Sequence, residues 1–226
     1  MKPYITCFMM SSVDGRIDCA MTEHLEGGNE YYQILSNYNF DATLSGKVTA
    51  IMHLAKDNNF KSKDNTPVNT RVIHKAVNAN FYSIVVDTIG TLTWESNIVD
   101  DGKLIVILSE QVTKDYLAYL KEMNISYIVT GKHHIDLVDA TSVLNEIFNI
   151  KHLGIVGGGN INGAFLDNHL LDEVSVLVGP GIDERGGMTS TFDDIKKDRT
   201  PFKLNLNNVT KYDDGAILLE YSVINK

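Results

Sequence analysis

The residues able to do chemistry sit in a few short stretches of a 226-residue chain. The most informative is Gly157-Gly158-Gly159-Asn160-Ile161-Asn162-Gly163. It follows an apolar run, Leu153 to Val156, that reads as a buried strand. It precedes Ile161, Phe165, Leu166 and Leu170, whose spacing is helical. Glycines at a strand-to-helix turn let backbone N–H groups and the positive end of a helix dipole come close to an anion. That chemistry is a seat for a nucleotide pyrophosphate. The same glycines also suit a tight turn that needs them only for its dihedrals. The stretch misses the GxGxxG fingerprint because Asn162 stands where the third glycine belongs, and several strands precede it, which argues against an ordinary Rossmann unit.

Other stretches carry weaker signals. Ser45-Gly46-Lys47-Val48-Thr49 places a glycine turn before a helix that runs through Ala55, a second candidate phosphate seat without P-loop spacing. Ser11-Ser12-Val13-Asp14-Gly15 ends an opening strand, Tyr4 to Met10, with a polar turn of the kind that reaches a ligand or is simply a turn. His133-His134 lacks an accompanying Cys or carboxylate cluster, so no metal site is expected. Asp172-Glu173 reads as the opening of a strand at a solvated edge rather than as an acid-base pair. No Ser-His-Asp or Cys-His signature is present. With no evident nucleophile or metal cluster, the chain suits chemistry carried by a bound cofactor, and hydride transfer leads on that logic.

The elements that must position these residues alternate. Helical spacing covers Tyr31 to Tyr38, Thr113 to Met123 and Asp139 to Phe148; strands are expected at Ala42 to Leu44, Phe81 to Asp87, Lys103 to Leu108, Ser126 to Thr130 and Glu173 to Val178. Alternation of this kind gives a largely parallel sheet with helices on both faces. Phe202 to Val209 and Ala216 to Val223, joined through Tyr212-Asp213-Asp214-Gly215, read as a closing antiparallel hairpin. Lys56 to Thr70 is polar and reads as a mobile surface loop. The expected fold is α/β, with a mixed, mainly parallel sheet in a single domain over residues 1–226.

Composition bounds the partners. With 43% hydrophobic residues the chain can bury a full core. A net charge of -9 argues against nucleic acid or an anionic membrane as partner, and no apolar run nears the ~20 residues of a membrane span. Cys7 and Cys19 form no CxxC pair, Cys7 reads as a buried thiol, and the N-terminus lacks a secretory signal, so a cytoplasmic location is expected.

Taken in order, Ser11 to Ile17, Asp41 to Thr49, Val85-Val86-Asp87, the Gly157 to Leu166 unit and Leu171-Asp172-Glu173 resemble the riboflavin-biosynthesis reductase family. That family is the C-terminal reductase domain of bifunctional riboflavin deaminase/reductases, related in fold to dihydrofolate reductase. The resemblance runs from about Tyr4 to the C-terminus and is poorest over 56–80. It implies a three-layer αβα sandwich, a homodimer and NADPH as hydride donor. The implied small-molecule acceptor is a pyrimidine bearing a ribosyl phosphate chain, as in 5-amino-6-(5-phosphoribosylamino)uracil reductases, or a similar heterocycle. By matched position it implies that Gly158, Gly159, Asn160, Ile161, Asn162 and Gly163 cradle the pyrophosphate, and that Thr49, His53 and Thr88 contact the cofactor. Ser12 and Asp14 would border the nicotinamide and substrate, and no residue is singled out as catalytic. The chain departs from the pattern twice: Val156 stands where the family commonly has a substrate-touching glutamate, and Glu30 to Phe40 holds no arginine or lysine for a phosphate. A non-catalytic NADP(H)-binding module that has lost its acceptor site is the alternative these departures leave open.

Overall fold

The computed structural model describes residues 1–193 and 200–225. In chain order the elements are β1 (Tyr4–Ser11), α1 (Cys19–Thr22), α2 (Gly28–Asn37), β2 (Ala42–Gly46), α3 (Lys47–His53), β3 (Val72–His74), β4 (Tyr82–Val86) and β5 (Ile98–Val99). There follow β6 (Gly102–Leu108), α4 (Lys114–Glu122), β7 (Ser126–Val129), α5 (Leu137–Glu146), β8 (His152–Gly157), α6 (Gly159–Asp167), β9 (Glu173–Val178), β10 (Leu204–Lys211) and β11 (Ile217–Val223). The chain forms two compact units. The first holds Met1–Pro3 with Asp41–Leu153, and the second holds Tyr4–Phe40 with the chain from Gly154 onward.

In the first unit β2, β4, β6 and β7 are successive parallel neighbours, with β3 antiparallel on β7 and β5 antiparallel on β6. Every residue of β4 and β7 is buried, which is why these strands read as largely apolar runs, broken only by Ser83 and Ser126, rather than as an alternation. One sheet face puts Val85, Leu104, Val106, Tyr127 and Val129 against Ala50 of α3 and Tyr116, Leu117 and Leu120 of α4. On the other face Tyr82 of β4 meets Phe148, just beyond α5, edge-on at 5.6 Å. Helices α4 and α5 start on side-chain caps: Thr113 accepts from Tyr116 N (3.3 Å) and Asp136 accepts from Asp139 N (2.9 Å).

In the second unit β1 runs parallel to β9, β11 antiparallel to β9, and β10 antiparallel to β11, so the closing hairpin forms as its sequence predicts. Its ladder starts at Leu204 rather than Phe202. Tyr31, Ile34, Leu35 and Tyr38 of α2 pack on Phe8, Leu177, Ala216 and Leu218, the helical stripe read from their spacing. Cys7 lies fully buried in β1, and burial pushes its thiol well up. Among the described residues no helix is long and apolar enough to cross a membrane.

The expectation for Lys56 to Thr70 needs correcting. The stretch lacks regular structure but is tied down throughout. Phe60 N donates to Thr91 O (2.9 Å), Lys63 N and Asp64 N to Asp115 Oδ2 (2.8 and 3.1 Å), and Val68 N to Val112 O (2.9 Å). Phe60 also stands edge-on against Tyr116 at 4.9 Å. Its backbone groups find partners outside any strand or helix, which polarity alone does not disclose.

Candidate functional site

In parallel sheets the C-terminal strand ends collect the loops that meet ligands. In the second unit these ends belong to β1 and β9, whose last pair is Ser11 with Val178. The turn after β1 is held by its own side chains. Buried Ser12 donates its Oγ to Asp14 Oδ1 (2.6 Å) and accepts from Arg16 N (3.1 Å). Asp14 also accepts from Asp183 N (3.0 Å) and Glu184 N (3.1 Å), and so fastens the segment that leaves β9. That segment continues along the turn: Arg16 Nη1 donates to Met188 O (2.6 Å), Ile17 N to Thr189 O (3.2 Å) and Thr191 N to Gly15 O (3.1 Å). Ser12 and Asp14 therefore serve as the frame of the turn and of the strap at 181–193.

Hydrogen bonds from Ser12 and from the strap's backbone hold the Asp14 carboxyl at a pKa of about 2, below its ordinary 3.8. A carboxylate lowered in the folded state contributes fully above its unfolded value and loses that contribution as the pH falls through the folded one. Asp14→Asn is thus expected to loosen the strap at neutral pH. Trypsin should cut after exposed Arg185 several-fold faster than in the parent chain. In the parent the protection should persist down to about pH 4 and fade towards pH 2 when probed with an acid protease. Equal cleavage rates would show that Asp14 does not hold the strap.

The strap ends on the glycine-rich helix. Asp193 N donates to Gly159 O (3.1 Å), and Asn162, fully buried, donates its Nδ2 to Thr191 O (2.7 Å). A Cβ on Gly159 would collide with Ser190 O, and one on Gly163 with Asp193 O. These two glycines are thus required by the chain's own close approach. Gly158 is different: it is the N-cap of α6 at φ 90° and ψ 120°, a backbone region closed to other residues, and it offers no side-chain cap. Unlike α4 and α5, α6 leaves the N–H groups of Gly159, Asn160 and Ile161 without a hydrogen-bond partner among the described residues. An uncapped, glycine-led helix start fits the diphosphate expected there.

In the first unit the corresponding edge follows Gly46 and Val86, which are paired in register. Lys47 opens α3 and turns its ammonium to Asp87, Nζ to Oδ1 3.3 Å, with a further short bond to Thr91 Oγ1. Asp87 is completely buried and also accepts from Thr91 N (2.6 Å), Leu92 N (2.8 Å) and Tyr116 OH (3.5 Å). Lys47 and Asp87 lie far apart along the chain and only the β2–β4 register joins them, so their pairing leaves no local pattern in the sequence. The second candidate phosphate seat thus has its lysine already neutralised. Half-buried Thr49, exposed His53 at the last turn of α3, and half-buried Thr88 have no side-chain hydrogen bond among the described residues. Thr88 is fixed through its carbonyl, which accepts from Ser109 N (2.9 Å) and Oγ (2.8 Å).

Glu173 opens β9 with Asp172 just before it, yet their edge is not simply solvated. Asp172 Oδ2 accepts from Ile5 N (2.8 Å), and Glu173 accepts from Tyr4 OH (3.1 Å) and Ser175 Oγ (3.0 Å). Burial and the neighbouring Glu173 raise Tyr4 to about 12. Among the described residues no group of three or more His, Cys, Asp or Glu is placed to hold a metal ion, His133 and His134 included.

Mainly parallel strands and an antiparallel C-terminal hairpin define a mixed α/β protein, with an open glycine-led helix start after β8. The chain belongs to the RibD C-terminal domain family, whose sequence model matches residues 3–218. It is 25% identical over 190 residues to the 2,5-diamino-6-ribosylamino-4(3H)-pyrimidinone 5′-phosphate reductase of Aquifex aeolicus, covering 80% of this chain and 78% of that protein. It is 27% identical over 99 residues, 43% of its length, to the riboflavin biosynthesis protein RibD of Chlamydia trachomatis, and that match spans only 26% of the relative. A solved pyrimidine reductase-like protein from Corynebacterium diphtheriae shares the fold, with a TM-score of 0.71 at 16% identity over 99% of this chain and 93% of that one.

Proposed function

We propose that the protein is an NADPH-dependent reductase that passes hydride to a small heterocyclic acceptor, most directly one of the 5-amino-6-(5-phosphoribosylamino)uracil type, and that it works as a homodimer in the cytoplasm. The observation that carries this reading is the start of α6: Gly158 at φ 90° opens three backbone N–H groups without a side-chain cap. Family membership and a relative named as a pyrimidinone phosphate reductase support it.

When bound, the nicotinamide supplies the hydride. The chain's own part is to bind and to orient. The N–H groups of Gly159, Asn160 and Ile161 take the diphosphate, helped by the helix dipole. Gly163 and Asn162 keep α6 in place through the strap. The hydroxyls of Thr49 and Thr88 and the imidazole of His53 are assigned to the cofactor by matched position. Ser12 and Asp14 shape the turn assigned to the acceptor. Asp14, with a pKa of about 2, is ionised at neutral pH and does not donate a proton to the reduced product.

The test is acceptor-dependent loss of NADPH absorbance. Steady oxidation with a ribosylaminopyrimidine 5′-phosphate is the expected result. A second reading, the cofactor-binding module without an acceptor site, draws on half-buried Val156 in β8, which cannot hydrogen-bond a substrate. Micromolar NADPH binding without turnover on a panel of pyrimidines and pteridines would decide for the module.

A further inference from the structure

A cavity of about 310 Å³ opens in the first unit, at the end of the sheet away from the turn that holds Lys47 and Asp87. Its lining includes Asp41, just before β2, and Tyr82, the first residue of β4. Lys47, Asp87 and Thr88 follow the other ends of the same two strands. The register from Ala42 with Tyr82 to Gly46 with Val86 puts about 13 Å between the two ends at ~3.3 Å per residue, so the cavity is a separate place. Its size is at the lower end of small-molecule pockets.

Two opposite charges line it, and the backbone fixes each. Lys75 Nζ donates to Ile147 O (2.8 Å), the C-cap of α5, and lies 5.4 Å from the centre of the Phe148 ring. Asp41 Oδ2 accepts from Lys151 N (2.7 Å) and His152 N (2.9 Å), which ties down the start of β8. These bonds explain where the two side chains lie but leave capacity unused. The ammonium keeps two further N–H groups, and Asp41 Oδ1 has no partner among the described residues. Among the described residues no ion pair joins Lys75 to Asp41 or to any other carboxylate. Asn78, Asn80 and Asn149 add carboxamides to the lining, likewise without a hydrogen-bond partner among the described residues. Asn149, at φ 59°, also serves the left-handed turn after α5, whereas Asn78 and Asn80 hold no such position.

The lining selects among classes of ligand. Tyr82 and Phe148 are buried and meet edge-on, and Lys75 covers the Phe148 ring, so no aromatic face is open for a nucleobase to stack on. A simple anion would be repelled by Asp41 and a simple cation by Lys75. A ligand that carries both signs satisfies both. We propose that the cavity binds a free α-amino acid with a polar side chain, its carboxylate on Lys75, its ammonium on Asp41 and its side chain among the asparagines. Both charges are held in place beforehand, so binding does not have to order them. The inference is independent of the reductase chemistry proposed above.

The experiment is a titration of the isotope-labelled full chain with L-glutamine, followed by amide NMR shifts. The expected result is saturable shifts at 75–81 and 149–152, with the amides of 158–161 unmoved. The dissociation constant should be on the order of 1 mM, usual for a ligand of about ten heavy atoms. Glutarate, which lacks the ammonium, and putrescine, which lacks the carboxylate, should bind at least about tenfold more weakly, because each forfeits a charged hydrogen bond. Lys75→Gln should weaken L-glutamine by a similar factor. Absence of a saturable shift in the parent chain overturns the site. Glutarate or putrescine binding as well as L-glutamine, or undiminished binding in a folded Lys75→Gln protein, overturns the amino acid as its ligand. If Lys75→Gln fails to fold, the comparison of the three probes on the parent chain decides.

Discussion

Gly158→Val should leave a folded protein that binds NADPH roughly a hundredfold more weakly, or worse. At φ 90° and ψ 120° the position is closed to a β-branched side chain, so the substitution costs about 1–3 kcal/mol of backbone strain. The chain can relieve that strain only by turning the peptide plane that leads into α6, and this re-aims the N–H groups of Gly159 and Asn160. Each hydrogen bond to a charged group is worth about 1.5–3 kcal/mol, so losing two corresponds to at least about two powers of ten in affinity. Titration calorimetry with NADPH, alongside circular dichroism and a melting curve, checks both halves of the expectation. Gly186→Ala is the matched control: a Cβ there meets nothing within 4 Å and the residue needs no positive φ. Undiminished affinity in a folded Gly158→Val protein would remove the diphosphate from the start of α6.

The same comparison separates what the glycine stretch discloses in sequence from what it hides. Three glycines between an apolar run and a helical stripe announce a strand-to-helix turn, and β8 and α6 form there as read. The letters do not tell that Gly159 and Gly163 are glycines for the strap at 189–193, whereas Gly158 is one for its dihedral. Close approach of two backbones far apart in sequence leaves no local pattern. The sheet was legible for a related reason in reverse. β4 and β7 are buried on both faces and so print as apolar runs, and α2 prints its stripe of Tyr31, Ile34, Leu35 and Tyr38. β3, β5 and α1, at three, two and four residues, are shorter than any period they could display.

Removing the buried carboxylate of the first unit should have the largest effect on stability. Asp87→Ala is expected to cost about 3–5 kcal/mol, the usual penalty for breaking a buried ion pair by deleting one partner. The loss is concentrated because one carboxylate serves several donors. Without it Thr91 N and Leu92 N lose their acceptor, and the ammonium of Lys47 loses its counter-charge. Tyr116 OH keeps Leu92 O at 2.8 Å, so α4 retains one tie to the turn and the unit should fold, less stably. In a chain of this size the change corresponds to a fall in Tm of roughly 10 °C or more, with a lower urea midpoint at an unchanged slope. Asp87→Asn should lose less, since its carboxamide oxygen can still accept from Leu92 N. Lys47→Met/Asp87→Leu should recover part of the loss relative to Asp87→Ala, because no uncompensated ammonium then remains beside the buried turn. Thr88 follows Asp87 directly, so a loosened turn should also weaken NADPH binding if the Thr88 hydroxyl contacts the cofactor. A fall of less than about 1 kcal/mol in Asp87→Ala would mean that the turn from Asp87 to Leu92 holds its shape through other contacts, and the Lys47 to Asp87 pair would then be a surface ornament of the order of an exposed salt bridge.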